Sequence, residues 1–301
     1  MTRGQGWVPQ GVDTSAPSVA RIYDYMLGGS HNFAVDREMG DQLDQAMPCL
    51  RHAARVNRSF LARAVRFMVD EGVRQFLDVG SGIPTVGNVH EIAQEADPDC
   101  RVVYIDRDPV AVAHSELMLA GNDRAAIINA DMRGPEKIFA SPDAQRLLNL
   151  DEPVGLLMLL MIHWIPDEWD PYGLLARYRD PLAAGSFFAL THATGDGQGE
   201  QLANATGVIK RSSSPDQVNL RTHAEVLPMF GDFELLEPGL VRCAMWRPGG
   251  PGDISDDPEA NSLLYAGIAG NASQARSVGR GSRIPPSPKP PGAPPAPPSI
   301  A

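Results

Sequence analysis

The stretch Arg74-Gln-Phe-Leu-Asp-Val-Gly-Ser-Gly82, followed by Ile83-Pro84-Thr85 and a helical pattern, decides the fold. Phe76, Leu77 and Val79 form a short apolar run with β character, Gly80 and Gly82 break it, and Thr85 is placed to cap a helix over 86–96. The order is strand, tight glycine turn, helix. Glycine lets a backbone approach a ligand closely, and an open parallel sheet presents its binding crevice at the carboxyl ends of its strands. Gly80, Ser81 and Gly82 are therefore expected to line a small-molecule site.

The acids say which kind of molecule. Asp78 stands two residues before the first glycine, and Thr85 occupies the place of the third glycine of a dinucleotide fingerprint. Both disfavour a pyrophosphate, and with it an NAD-dependent Rossmann oxidoreductase. The apolar run Val102-Val-Tyr-Ile-Asp106 ends in an acid able to accept two hydrogen bonds from a ribose diol, and 125–131 ends the same way at Asp131. Three successive strands thus bring a carboxylate to one edge of the sheet. The series resembles the class I S-adenosylmethionine-dependent methyltransferases, whose first motif is hydrophobic-Asp/Glu-x-Gly-x-Gly. That resemblance implies a Rossmann-like α/β fold, a mostly parallel seven-stranded sheet flanked by helices, and S-adenosyl-L-methionine as cofactor. It implies that Gly80 and Gly82 line the methionine and ribose portion and that Asp106, with Arg107 next to it, holds the ribose. Asp131 with Met132 then borders the adenine.

A second phrase narrows the match. Ala20-Arg-Ile-Tyr-Asp-Tyr-Met-Leu-Gly-Gly29 runs on through Asn32-Phe33, and Gly82-Ile-Pro-Thr-Val-Gly-Asn-Val-His90 follows the glycine turn. Both resemble the motifs of an actinobacterial family of S-adenosylmethionine-dependent methyltransferases, long catalogued as a domain of unknown function. The resemblance covers about residues 17–270. Helices before the first strand commonly fold over the cofactor in class I enzymes, so 17–72 is expected to be a lid. On that reading Tyr23, Met26, Gly28, Gly29 and Asn32 touch the methionine end; on the other, the tyrosines and Met26 face the core and the glycines end a helix. A long helix over 50–71 carries Arg51, Arg55, Arg58 and Arg66 away from its apolar stripe. Arg58 stands out, because Asn57-Arg58-Ser-Phe recurs in the resembling family and an arginine fork suits the cofactor's carboxylate. His90, near the start of the helix after the turn, is expected to make a structural hydrogen bond.

The unbroken apolar run 154–161 reads as a central strand buried on both faces, and it delivers His163 and Trp164. In the class I arrangement that loop lies beside the transferred methyl, so both are expected to meet the acceptor. His163 fits either a general base or a histidine hydrogen-bonded in place, and Trp164 either stacks on a ligand or fills core. His192, at the end of a fifth strand over 185–191, joins the acceptor pocket, and the divide at 212–215 is a candidate for the same role. No Asn/Asp-Pro-Pro-Tyr/Phe tetrapeptide and no cysteine nucleophile follows the fourth strand. Segments 233–236 and 240–246 read as a closing antiparallel hairpin, and 261–270 as a piece packed back on the body.

Composition sets the outer bounds. Hydrophobic residues at 43 % suffice for a substantial core. The formal charge is −11, but the last 31 residues carry four basic side chains and no acid, leaving −15 for 1–270. Such an acidic body repels nucleic acid and anionic membrane, which favours a small-molecule methyl acceptor. Cys49, Cys100 and Cys243 are too scattered for a disulfide framework or a zinc site, and no apolar run is long enough to span a bilayer, so the cytoplasm is expected. The division expected is a flexible 1–16, the lid 17–72, a methyltransferase core 73–250, a packing segment 251–270 and a disordered proline-rich tail 271–301. A cofactor-binding regulatory protein without catalysis is the alternative from another class.

Overall fold

A computed structural model describes residues 12–271 apart from Val86 and Gln198. The expected flexibility of 1–11 and disorder of 272–301 lie outside the described residues. Three helices precede the sheet: α1 (Val19–Met26), α2 (Ala34–Ala46) and α3 (Leu50–Asp70). The first half of the sheet alternates strand and helix as β1 (Gln75–Val79), α4 (Val89–Ala96), β2 (Arg101–Asp106), α5 (Pro109–Met118) and β3 (Ala125–Asn129). Short helices α6 (Pro135–Phe139) and α7 (Pro142–Leu147) lead to β4 (Gly155–Leu159), α8 (Pro171–Arg179) and β5 (Phe187–Ala193). The chain closes with α9 (Glu200–Arg211), α10 (His223–Val226), β6 (Glu234–Leu235), β7 (Val241–Arg242), α11 (Pro258–Ser262) and β8 (Leu264–Gly270).

The strand order is β3-β2-β1-β4-β5-β8-β6, with β7 also on β8. The strands β1 to β5 are parallel, and β8 is antiparallel to β5, β6 and β7. The order reverses between β1 and β4, which opens a crevice at their carboxyl ends. Both faces of the sheet are covered, so neighbouring strand residues serve two cores. Phe76, Leu157 and Phe187 pack with Phe60 and Met68 of α3, whereas Leu77, Leu156 and Phe188 pack with Tyr178 and Phe230 on the opposite face.

Three expectations need correction. The sheet has eight strands, not seven, because 264–270 is a strand as well, and 233–236 and 240–246 pair with it rather than with each other. Each contributes two residues to the same edge of β8, whose other edge takes β5, and a turn over 236–239, centred on Glu237-Pro238, separates them. The segment 261–270 is not peripheral packing. Leu264–Gly270 is a wholly buried strand, with Gly267 leaving room for the Phe230 ring, 2.9 Å from where a Cβ would stand. The helix after the glycine turn starts at Val89 and is capped by Asn88, not Thr85. Gly87, at φ +75°, keeps the chain out of helical conformation until there, and the Glu91 carboxylate accepts the Gly87 and Asn88 N–H groups at 2.9 and 2.8 Å.

Candidate functional site

A cavity of about 870 Å³ lies where the strand order reverses. The tip of β1 and its turn supply Asp78, Gly80, Ser81 and Gly82, and β2 ends there with Asp106 and Arg107. Asp131 and Met132 follow β3, while Leu160, Met161, His163 and Trp164 follow β4. The helical segment closes over these tips with Arg21 and Tyr23 of α1 and Asn57 and Arg58 of α3. From the far side, Pro215, Asp216, Gln217 and Asn219 complete the wall, so that of the expected divide 212–215 only Pro215 lines the cavity.

The floor is tightly built. Gly80 has φ +79°, and a Cβ there would lie 2.1 Å from Met161 Sδ, so the turn and the β4 tip fit only with glycine. The Gly82 N–H donates to Asp106 Oδ2 at 2.7 Å and the Asp108 N–H to Oδ1 at 2.8 Å, fixing that carboxylate across the turn. Asp78 is 6 % exposed and accepts no hydrogen bond among the described residues. Burial, opposed by Arg58 and reinforced by Asp106, lifts its carboxyl to about 7. Burial also raises Asp106, against the hydrogen bonds from Asp108 and Gly82. The hydrogen bonds from Arg133 hold Asp131 below the usual carboxylate range.

The side of the cavity at the β4 tip is drier. His163 is 4 % exposed, and its buried Nδ1 has no hydrogen-bond partner among the described residues. Burial, then His192 and Arg221, hold its imidazole well below the ordinary range, so it is neutral at pH 7. Its ring centroid lies 4.7 Å from that of Trp164. The loop carrying both is tied from below by Arg221, which donates to the carbonyls of Ile162 at 3.3 Å and Ile165 at 2.8 Å and to Asp167 at 2.6 Å.

Five of the expected site residues do not line this cavity. His192 sits behind His163, with Nδ1 2.7 Å from the Ala193 carbonyl and Nε2 3.1 Å from Arg221. Since Arg221 only donates, His192 Nε2 accepts and Nδ1 carries the proton. Met26 is packed in the core beneath α1. Gly28, Gly29 and Asn32 form a turn around Asp24: a Cβ on Gly29 would meet Asp24 Oδ1 at 2.0 Å, and Asn32 Nδ2 donates to Asp24 Oδ2 at 2.8 Å. The paired glycines thus make space for a buried carboxylate. His90 is structural too. Its N–H donates to the Tyr104 hydroxyl at 2.8 Å, which leaves that hydroxyl's proton for His90 Nδ1, also at 2.8 Å.

Missed by sequence reasoning were Asn57, Arg221 and the anchoring of α1. Arg21, 4 % exposed, lies 3.5 Å from Asp36 and 3.6 Å from Asp108, and Ser18 also donates to Asp108. Arg21, inside the quoted Ala-Arg-Ile-Tyr phrase, was the available signal. Among the described residues no helix is long and apolar enough to cross a membrane, and no cluster of three or more His, Cys, Asp or Glu is placed to hold a metal ion.

Known proteins place this geometry. No curated protein matches the chain. A candidate methyltransferase from Thermobifida fusca YX is 38 % identical, with 88 % of this chain and 99 % of that one covered and a TM-score of 0.81. A DUF574 family protein from Streptomyces avermitilis MA-4680 is 35 % identical over 86 % and 99 % of the two chains, with a TM-score of 0.82. The model of the S-adenosyl methyltransferase family matches residues 5–272, which sets aside the dinucleotide alternative. The chain therefore belongs to the S-adenosyl methyltransferase family and is an S-adenosylmethionine-dependent methyltransferase.

Proposed function

We propose that this enzyme methylates an oxygen or nitrogen of a small molecule that enters between α1 and the tip of β4. The observation that carries the reading is the cavity: its roughly 870 Å³ is near the upper end of the range of about 300–1,000 Å³ for small-ligand sites, and the lid walls it as well as the strand tips. That is room for a cofactor and a compact acceptor. The acidic body disfavours a polyanionic one.

The residues present suit the cofactor. Asp78, an acid without a hydrogen bond at the floor, suits the α-ammonium, and Arg58, whose Nη2 donates to the Gly87 carbonyl at 2.7 Å, suits the carboxylate. Each Asp106 oxygen accepts one N–H and keeps a lone pair for a ribose hydroxyl. Ser81 Oγ, buried without a partner among the described residues, is a further polar group free to serve a ligand. Met132 borders the adenine. When bound, S-adenosylmethionine supplies a methyl group already activated on a sulfonium.

The protein's share of the chemistry is then alignment and proton handling. Neutral His163 hydrogen-bonds the acceptor and orients its lone pair toward the methyl, with Trp164 packed against it. A histidine held so far below its usual range is a weak base, so positioning outweighs proton abstraction. Residues 17–72 act as the lid over a core of 73–250 together with β8. Calorimetry with S-adenosylhomocysteine tests the site, and transfer of labelled methyl to a panel of small hydroxyl and amine compounds tests the acceptor. Label recovered only in RNA or protein fractions would overturn the small-molecule reading.

A further inference from the structure

We infer that Thr191, to which no motif points, is a positioning residue: its hydroxyl ties the lid tyrosine to the tip of β4 and so sets the cavity floor. Thr191 is fully buried near the end of β5. Its Oγ1 accepts the Leu160 N–H at 2.9 Å and donates to Asn57 Oδ1 at 2.7 Å. Asn57 Nδ2 then donates to the Tyr23 hydroxyl at 3.1 Å, and that hydroxyl donates to the Ala54 carbonyl at 3.2 Å. Each hydroxyl in this relay accepts one bond and donates one, which fixes the direction of each bond.

What the relay holds is unusual. Leu160 has φ +57°, a left-handed conformation that a leucine keeps only when its surroundings impose it. The imposing contacts are the Thr191 carbonyl, 3.2 Å from the Leu160 nitrogen, and the Thr191 hydroxyl. The chain reversal at Leu160 brings Met161 against Gly80, so the β4 tip and the glycine turn are interlocked. Tyr23, Asn57, Leu160, Met161 and Gly80 all line the cavity. Valine at 191 keeps the volume and the backbone carbonyl, but it removes the hydroxyl that accepts from Leu160 and donates to Asn57. The tip then relaxes and the floor moves out of register with the lid.

The inference rests on the reading that the cofactor binds in this cavity, and the experiment separates the two. Calorimetry of the wild type with S-adenosylhomocysteine comes first, and no binding there refutes the site itself. Given wild-type binding, Thr191→Val should weaken affinity about tenfold, the effect of leaving a buried polar group unpaired, while Thr191→Ser should stay within about twofold. Both are measured well below each variant's melting temperature, so lost stability alone does not change the result. A valine variant that binds like the wild type overturns the inference, whatever its melting temperature, as does a serine variant as weak as valine. If the valine variant is not recovered folded, Thr191→Ala lacks the hydroxyl without adding bulk and carries the same expectation.

Discussion

Replacing Asp78 with asparagine should make the cofactor-free protein more stable and the cofactor site worse, and the stabilisation should fade as pH falls. The carboxyl titrates near 7 in the fold and near 3.8 in the unfolded chain. Between those values the folded chain binds more protons, so stability declines as pH rises through that window and the full penalty stands above pH 7. At about 1.4 kcal/mol per pH unit the penalty is about 4 kcal/mol. Asparagine carries no charge, but burying its unpartnered amide costs roughly 1–3 kcal/mol, which leaves a net gain of roughly 1–3 kcal/mol at pH 8. The melting temperature should rise by about 2–4 °C for each of those kcal/mol. Near pH 5 the gain should vanish, because wild-type Asp78 is then mostly protonated.

Binding should move the other way. An ammonium needs the ionised carboxylate, so below pH 7 the wild type must release a proton to bind S-adenosylhomocysteine. Affinity should therefore fall about thirtyfold from pH 8 to pH 5.5, and the asparagine variant should bind weakly without that slope. Thermal melts and calorimetry at the two pH values read both effects. A variant that melts lower at pH 8 and binds like the wild type would refute the reasoning, since Asp78 would then be a satisfied structural carboxylate.

Three further outcomes are expected. Asp106→Ala should cost roughly 10- to 100-fold in affinity for S-adenosylhomocysteine, as expected for hydrogen bonds to a charged group; undiminished affinity would remove Asp106 from the ribose site. Arg21→Gln, by leaving the buried Asp36 and the half-buried Asp108 without their cation, should destabilise by about 3–5 kcal/mol and speed hydrogen exchange in 18–27; protection equal to wild type would mean α1 is held elsewhere. His163→Gln should slow methyl transfer while leaving S-adenosylhomocysteine affinity within about twofold, and a large loss of affinity instead would put His163 on the cofactor side.

The first five strands were legible because each is an apolar run that ends in a polar tip and is followed by turn chemistry. That is how parallel strands buried on both faces must look. The same logic missed β8. Its Tyr-Ala-Gly-Ile-Ala-Gly sequence has little strand propensity, and its place is decided by the rings of Phe187 and Phe230, which need the missing side chains of Gly270 and Gly267. At the site, the acids at strand ends followed from spacing alone. Gly28, Gly29 and Asn32 did not, because glycine beside asparagine is compatible with a ligand cradle and with a turn. The choice was made by Asp24, whose side chain fills the space a Gly29 Cβ would take. The Thr191 relay was invisible for a different reason: its hydrogen bond to Asn57 spans 134 positions, and no local pattern records such a pairing.

The charges around the cavity have a common logic. Of the four lining arginines, Arg107 pairs with Asp216, and Arg133 with Asp131 while lying 4.1 Å over the Trp169 ring. Arg21 is set between Asp36 and Asp108, and Arg58 acts on Asp78. Paired charges largely cancel at a distance, so the field inside follows the carboxylates left over, and it is negative. S-adenosylmethionine brings a sulfonium and an ammonium against one carboxylate and is drawn in as a net cation. Transfer turns the sulfonium into a neutral thioether while the acids stay as they were. In the proposed site the same field therefore grips the spent cofactor less firmly, and reprotonation of Asp78 on its departure makes the vacated site less costly. On the proposed reading, acids that capture the donor thus also help to release the product.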